Sequence, residues 1–133
     1  MAKKRFSIIV AIFAGMMLLF NSCTKVSENF IIGEWEVISM QAIDYDDGGG
    51  WSEFMIPGEE ITITFHSYGT YTYLYVYNGD REYDQGTWSY LEGLQQLKFN
   101  GYLFDVYRHK NKEMELRYEQ PDHAEKMYLK KIK

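Results

Sequence analysis

The sequence predicts an all-β protein: an up-and-down antiparallel barrel of about eight strands, preceded by a signal peptide. From residue 33 onward, apolar and polar residues alternate with the two-residue period of strands, and turn residues recur at short intervals. Nearly all connections are short, so each strand turns directly into the next. The sheet of such a meander has no free edges if its first and last strands pair, so a barrel is favoured over an open sandwich.

The N-terminal segment has the layout of an export signal. Lys3, Lys4 and Arg5 precede an almost wholly apolar run over residues 6–20. That run is shorter than the roughly 20 residues that a membrane-spanning helix needs. We therefore predict a signal peptide over residues 1–22, with an uncleaved anchor helix as the alternative.

The single cysteine of the chain, Cys23, follows this segment in LLFNSC, directly after the small residue Ser22. This arrangement resembles the signal of bacterial lipoproteins, although Phe20 and Asn21 depart from the usual pattern. An exported thiol without a disulfide partner would be open to oxidation, whereas a lipid-modified cysteine is not. The alternative is a chance cysteine at that position.

The resemblance implies lipidation of Cys23, with palmitate among the acyl chains, and lipid-mediated attachment to a membrane of the cell envelope, the outer membrane being favoured. The soluble domain would then lie in the periplasm or on the cell surface. Residues 23–32 would form the lipidated cysteine and a short tether. Without residues 1–22 the chain keeps 11 basic and 19 acidic residues, and this net negative charge disfavours nucleic-acid binding.

Eight strands are expected in the mature part. They span residues 34–42, 60–66, 70–77, 83–91, 94–100, 102–109, 113–119 and 126–132. The clearest is EMELRY, in which Met114, Leu116 and Tyr118 alternate with charged residues, as in a strand with one buried face. Tight turns are expected at Asn78–Gly79, Glu92–Gly93, Asn100–Gly101 and Asn111.

One connection is long: QAIDYDDGGGWSEFMIPGEE, residues 41–60. Its glycines and Pro57 predict irregular structure, and loops of this length in a compact domain are commonly functional. Trp51, Phe54 and Met55 would not stay in water without cause. We expect them to form a flap over one end of the barrel, or a plug that only seals the core.

The stretch TYTYLYVY places Tyr71, Tyr73, Tyr75 and Tyr77 on one side of a strand. Gly69 suits the last position of a three-residue hairpin loop, and that loop would set Phe65 opposite Tyr71. The tyrosines would then point inward, and Leu74 and Val76 outward.

A buried phenol needs a hydrogen-bond partner, so an interior that keeps tyrosine is expected to be partly wet or to meet a polar ligand. The alternative is that the hydroxyls reach water or carbonyl groups while the rings fill space. The predicted ligand-binding residues are Phe65, Tyr71, Tyr73, Tyr75, Tyr77, Trp88 and Tyr90.

Several motifs together resemble the lipocalin-like domains of small bacterial lipoproteins, which are calycin-type β-barrels. They are IIGEWEVIS, with Gly33 and Trp35, then FHSYGTYTY, GTWSYLEG and the terminal YLKKIK. The resemblance implies a barrel domain over residues 33–133 that binds a small apolar molecule. It also implies that Trp35 packs across the closed end, covered by Lys130 or Lys131.

The sequence gives little support for a metal site or a catalytic site. Asp44, Asp46 and Asp47 do not fit the EF-hand spacing. His66, His109 and His123 are widely spaced, and the chain has no phosphate loop or nucleophile elbow.

We therefore expect no metal, no cofactor and no enzymatic activity, although strands far apart in sequence could still pair acids such as Asp84, Asp105 and Glu115. The favoured function is the binding of a small amphipathic or apolar ligand, which needs a cavity of at least a few hundred Å³. The alternative is a filled barrel that acts as an adaptor or structural protein for another envelope protein, whose identity the sequence leaves unknown.

Overall fold

The computed structural model describes residues 26–133, which form a closed antiparallel barrel. Its elements are a short helix, α1 (Glu28–Ile31), and nine strands: β1 (Gly33–Asp44), β2 (Ser52–Glu53), β3 (Glu60–Phe65), β4 (Thr70–Tyr77), β5 (Asp80–Leu91), β6 (Gln96–Phe99), β7 (Tyr102–Lys110), β8 (Glu113–Glu119) and β9 (His123–Lys131). A 3-10 helix, Glu92–Leu94, separates β5 from β6. The signal peptide and Cys23 lie outside the described residues.

The strands follow one another around the barrel in chain order. β1 pairs with β3, each later strand pairs with the next, and β9 pairs with β1 to close the sheet. β2 only adds a two-residue pairing to β1. The predicted eight-stranded up-and-down barrel is therefore confirmed, and the open sandwich is ruled out by the β1–β9 pairing.

Two of the predicted hairpin turns have the expected backbone. Asn78 and Gly79 have φ of 52° and 82°, and Asn100 and Gly101 have φ of 54° and 78°. Positive φ at both central residues gives the two-residue turn whose twist matches that of antiparallel strands. Glu92–Gly93, in contrast, is not a tight turn, because it begins the 3-10 helix Glu92–Leu94, which ends at Gln95 with a φ of 53°.

The predicted register of the tyrosine strand is confirmed. Phe65 pairs with Tyr71 and Ile63 pairs with Tyr73, and Gly69 has a φ of 87° in the loop between them. Tyr71 is buried, and the other three tyrosines of β4 are half-buried. Because side chains alternate along a strand, Leu74 and Val76 project from the opposite face.

The described part of the predicted tether is folded into one end of the barrel. Val26 and Ile31 are fully buried, and Phe30 is nearly so. The Val26 N–H donates to Gln95 Oε1 at 2.7 Å, and the Tyr90 hydroxyl donates to the Val26 carbonyl at 2.8 Å. Residues 26–31 therefore close this end, and Val26, Phe30 and Ile31 belong to the same buried core as the inward side chains of the barrel.

Trp35 lies across this closed end. It is fully buried, and its indole N–H donates to the Ile31 carbonyl at 2.8 Å. The Lys131 ammonium lies 5.4 Å from the Trp35 ring and donates to the Phe30 carbonyl at 2.9 Å. Of the two lysines considered, Lys131 is thus the one that covers the tryptophan.

Gly33 is required at the same place. Its φ is 140°, and a Cβ atom there would lie 2.5 Å from both Lys131 Cε and the Lys133 carbonyl oxygen. Only glycine combines this backbone conformation with so close an approach.

Candidate ligand-binding site

A cavity of about 390 Å³ occupies the half of the barrel away from α1. Its floor is apolar, because Ile63, Tyr71, Phe99 and Leu116 line it and are all buried. Its volume lies within the roughly 300–1,000 Å³ range of small-molecule sites. The barrel is therefore not filled by its own side chains.

The walls of the cavity are largely aromatic. Phe104 stacks on Phe99 with ring centroids 4.9 Å apart, and Tyr118 packs edge-on against Tyr102 at 5.1 Å. Tyr73 lines the opposite wall, on β4. These rings offer faces on which an apolar or cationic group can pack.

The cavity opens where the barrel wall is incomplete. β5 pairs with β6 only from Trp88 to Leu91. Within the described part of the chain, residues 80–87 have a strand neighbour only on the β4 side. Exposed residues from both sides of this gap line the rim: Glu82, Tyr83, Asp84, Asn100 and Tyr102. The cavity thus has a buried, apolar floor and a polar mouth that faces solvent.

Tyr71 connects the floor to the mouth. Its ring lies over Gly86, its partner on β5, and a Cβ atom at Gly86 would come within 2.8 Å of Tyr71 Cε1. The Tyr71 hydroxyl points towards Asn100 Oδ1 at 3.4 Å. Burial, and to a smaller extent the Asp84 carboxylate, raises the pKa of Tyr71. The phenol therefore stays protonated at neutral pH and acts as a hydrogen-bond donor.

Tyr73 stands opposite Asp84, farther towards the mouth. Burial raises the pKa of Tyr73, and the carboxylates of Glu59, Glu82 and Asp84 add to this effect. Each of these charges disfavours a phenolate beside it. Three carboxylates therefore lie near the Tyr73 side chain.

The structure brings only two of the seven predicted ligand-binding residues, Tyr71 and Tyr73, to the cavity. Phe65 and Trp88 pack against each other in the core, with their ring centroids 5.6 Å apart. The other three do not line the cavity: Tyr75 and Tyr77 lie farther along β4, and Tyr90 bonds to Val26 at the closed end.

The three predicted lid residues lie in different places. Phe54 lines the cavity and is exposed at its rim, while Met55 packs against the core. Trp51 packs instead against the outer face of the barrel, where its ring lies 4.2 Å from the Lys126 ammonium and 5.6 Å from the Arg117 guanidinium. These two cations hold Trp51 away from the mouth, so only Phe54 has the place expected of a lid.

The acidic residues of the rim were not among the predicted ligand-binding residues. Glu82 and Asp84 lie on β5, and Glu125 lies on β9. A signal for Asp84 was present, because the two-residue turn at Asn78–Gly79 places residue 84 opposite residue 73. No comparable signal exists for Glu125, which reaches the cavity through a strand distant in sequence.

The candidate metal ligands lie apart. Within residues 26–133, no three His, Cys, Asp or Glu side chains are close enough together to hold a metal ion. The Asp44 carboxylate accepts from the Asp46 N–H at 3.0 Å, as in a local turn. The nearest acid to His109 is Glu115, at 3.7 Å, and His123 contacts Asp122 at 2.9 Å.

In comparisons with known proteins, no family model matches the chain, and no curated protein has significant sequence similarity to it. Among the described residues, no helix is both long and apolar enough to cross a membrane. The cavity therefore has to be interpreted from its own geometry and chemistry.

Proposed function

We propose that this protein is a lipid-anchored envelope lipoprotein whose lipocalin-like barrel binds a small amphipathic ligand. The observation that carries the proposal is the cavity of about 390 Å³, with a buried apolar floor and a polar mouth. Burying the apolar part of a ligand against such a floor contributes about 25 cal/mol per Å². The polar part would remain at the rim, so the role is binding rather than catalysis.

The alternative function, an adaptor with a filled barrel, fits the structure less well. The cavity shows that the barrel is not filled. Among residues 26–133, the segment 80–87 of β5 has one unpaired edge, which is the obvious place for a partner strand. Four of these eight residues are charged: Asp80, Arg81, Glu82 and Asp84. Charges on an edge strand oppose pairing with another chain.

The proposed lipid anchor defines an orientation. Val26 is fixed at the closed end, and the three residues from Cys23 to Val26 span at most about 11 Å. A lipid on Cys23 would therefore hold the closed end near the membrane and turn the cavity mouth away from it. Such a protein would take its ligand from the aqueous side.

Native mass spectrometry tests the binding proposal. A fragment that begins at Thr24, two residues before the buried Val26, is purified without detergent and incubated with envelope lipid and metabolite extracts. We expect a reproducible added mass that is lost in Tyr73→Ala and kept in Tyr77→Ala. The control residue lies on the same face of β4 but does not line the cavity. A bare mass after incubation would contradict the proposal.

The anchor is tested by Cys23→Ser in the full chain. We expect this variant to leave the membrane fraction, because membrane attachment would come from lipid alone. Ser22→Ala, which keeps a small residue before the cysteine, serves as the control and should stay attached. Continued attachment of Cys23→Ser would exclude lipid at this residue as the anchor.

A further inference from the structure

We propose that the ligand of this cavity is an amphipathic cation: an amine or ammonium group carried on an apolar body. The inference rests on the proposed ligand-binding function and names the chemical class of the ligand. It follows from the way carboxylates and aromatic rings are placed around the mouth.

The inner face of the β4–β5 hairpin combines a row of tyrosines with a row of acids. Tyr73 pairs with Asp84, and Tyr75 pairs with Glu82. Directly paired residues of antiparallel strands project from the same face of the sheet. The carboxylates therefore stand beside the phenol rings, on the side of the hairpin that faces the cavity.

A third carboxylate faces the same space from across the barrel. Glu125 on β9 lines the cavity together with Glu82 and Asp84, and all three residues are exposed at its rim. Among residues 26–133, no side-chain nitrogen of a Lys, Arg or His lies within 4.0 Å of a carboxylate oxygen of these three residues. Lys126, the cationic residue of the lining, directs its ammonium to the Trp51 ring on the outer face.

This arrangement has the features that recognise an ammonium group. Uncompensated carboxylates attract a cation, and aromatic faces bind it through their quadrupoles. The raised pKa of Tyr73, caused by burial and then by Glu59, Glu82 and Asp84, agrees with a negative potential at the wall. An anionic amphiphile of the same length would meet repulsion at the same place.

The size of the cavity limits the ligand. A volume of 390 Å³ equals the liquid volume of about 13 water molecules. A chain of eight carbons with one head group is therefore a suitable probe, because its tail can reach the floor at Ile63 and Leu116 while its head group stays at the rim.

The test compares n-octylamine, n-octanol and n-octanoate at neutral pH. These probes share one tail and carry a positive, a neutral and a negative head group. Calorimetric titration of the fragment beginning at Thr24 gives the three dissociation constants. We expect octylamine to bind at least about tenfold more tightly than octanol, which corresponds to about 1.4 kcal/mol, and octanoate to bind most weakly.

Two neutral substitutions locate the effect. Glu82→Gln combined with Asp84→Asn keeps the side-chain shapes, and the amide oxygen introduced at position 84 can still accept from the Gln85 N–H, as the Asp84 carboxylate does at 2.8 Å. We expect about tenfold weaker binding of octylamine and unchanged binding of octanol. Glu36→Gln combined with Glu60→Gln is the control, because it removes two exposed charges away from the cavity. This control should leave all three constants unchanged.

The outcomes separate the two proposals. Preferential binding of octylamine that the paired substitutions at the rim abolish supports the cation proposal. Equal binding of the three probes, or tighter binding of octanoate, overturns it and leaves the binding function intact. An equal loss in the control variant also overturns it, because the preference would then come from overall charge. If no probe binds, the cation proposal fails at this size, and mass spectrometry with extracts decides the binding function separately.

Discussion

Replacing Gly86 by alanine should disturb the tyrosine that forms the cavity floor. An added Cβ would lie 2.8 Å from Tyr71 Cε1 and 3.0 Å from both Cζ and the hydroxyl oxygen. The ring has little room to retreat, because Tyr71 is buried and packs edge-on against Phe99 at 5.4 Å. The glycine thus leaves the space that the tyrosine ring of the neighbouring strand fills.

The cost can be estimated from this geometry. Normal van der Waals contact would require the ring to move by several tenths of an ångström, and overpacking of this kind costs about 1–3 kcal/mol. Tyr71→Leu removes the three atoms that an alanine at position 86 would meet. In that background Gly86→Ala should cost nothing, or stabilise by up to about 1 kcal/mol, because alanine loses less backbone entropy than glycine.

Urea denaturation of the four proteins in this double-mutant cycle gives the coupling free energy between positions 71 and 86. We expect about 1–3 kcal/mol. Gly49→Ala is the control, since a Cβ there meets nothing within 4 Å. Wild-type stability of Gly86→Ala, or an equal loss in the Tyr71→Leu background, would refute the packing described for this ring.

Three further predictions concern the closed end and the flap. In urea denaturation, Lys131→Ala should destabilise the barrel by about 1–3 kcal/mol, because it leaves the partly buried Phe30 carbonyl without this donor. Lys130→Ala, at the exposed neighbouring residue, should change the stability by less than about 0.5 kcal/mol. Burial, and to a smaller extent the Glu92 carboxylate, raises the pKa of Tyr90 from its ordinary value to about 12. The stability that the protonated Tyr90 contributes is therefore fully present below about pH 10 and is lost as the pH rises to about 12. Tyr90→Phe, which loses the hydroxyl, should be less stable than wild type by about 1 kcal/mol near neutral pH. A difference in stability between the two proteins that stays constant up to pH 12 would contradict this pH dependence. Phe54→Ala should weaken octylamine binding and Trp51→Ala should not, because of these two residues only Phe54 lines the cavity. Equal losses of affinity in calorimetric titration would place both side chains at the mouth.

The sequence was sufficient for the strand order and for the register of the tyrosine hairpin, because both depend on local chemistry. Gly69 specifies the three-residue loop, and the Asn–Gly pairs specify the two-residue turns. Residue pairing around the barrel then follows from strand to strand. The inward direction of Tyr71 and Tyr73 was therefore predictable.

The start of β5 was missed for a physical reason that also bears on function. Its inward positions near the mouth are Asp80, Glu82 and Asp84, opposite the tyrosines. A pattern of buried apolar residues cannot detect a strand whose inner face is acidic and wet. The same departure from the expected alternation is what indicates a cationic ligand.

The part that residues 26–31 play in the closed end was missed because their contacts are distant in sequence. Val26 stands alone among polar residues, and α1 has only four residues, too few to show a helical period. The partners of Val26 are Tyr90 and Gln95, 64 and 69 residues away. The position of Trp51 likewise depends on cations from β8 and β9.

A methyl NMR titration of the fragment beginning at Thr24 with n-octylamine tests directly whether the cavity binds an amphipathic ligand. We expect saturable shifts of the methyl groups that line the cavity, those of Met40, Ile63, Leu116 and Met127, with little change at Val26 and Ile31 in the closed end. Unperturbed cavity methyl groups at saturating ligand, or shifts centred on Val26 and Ile31, would show that the cavity does not bind this ligand.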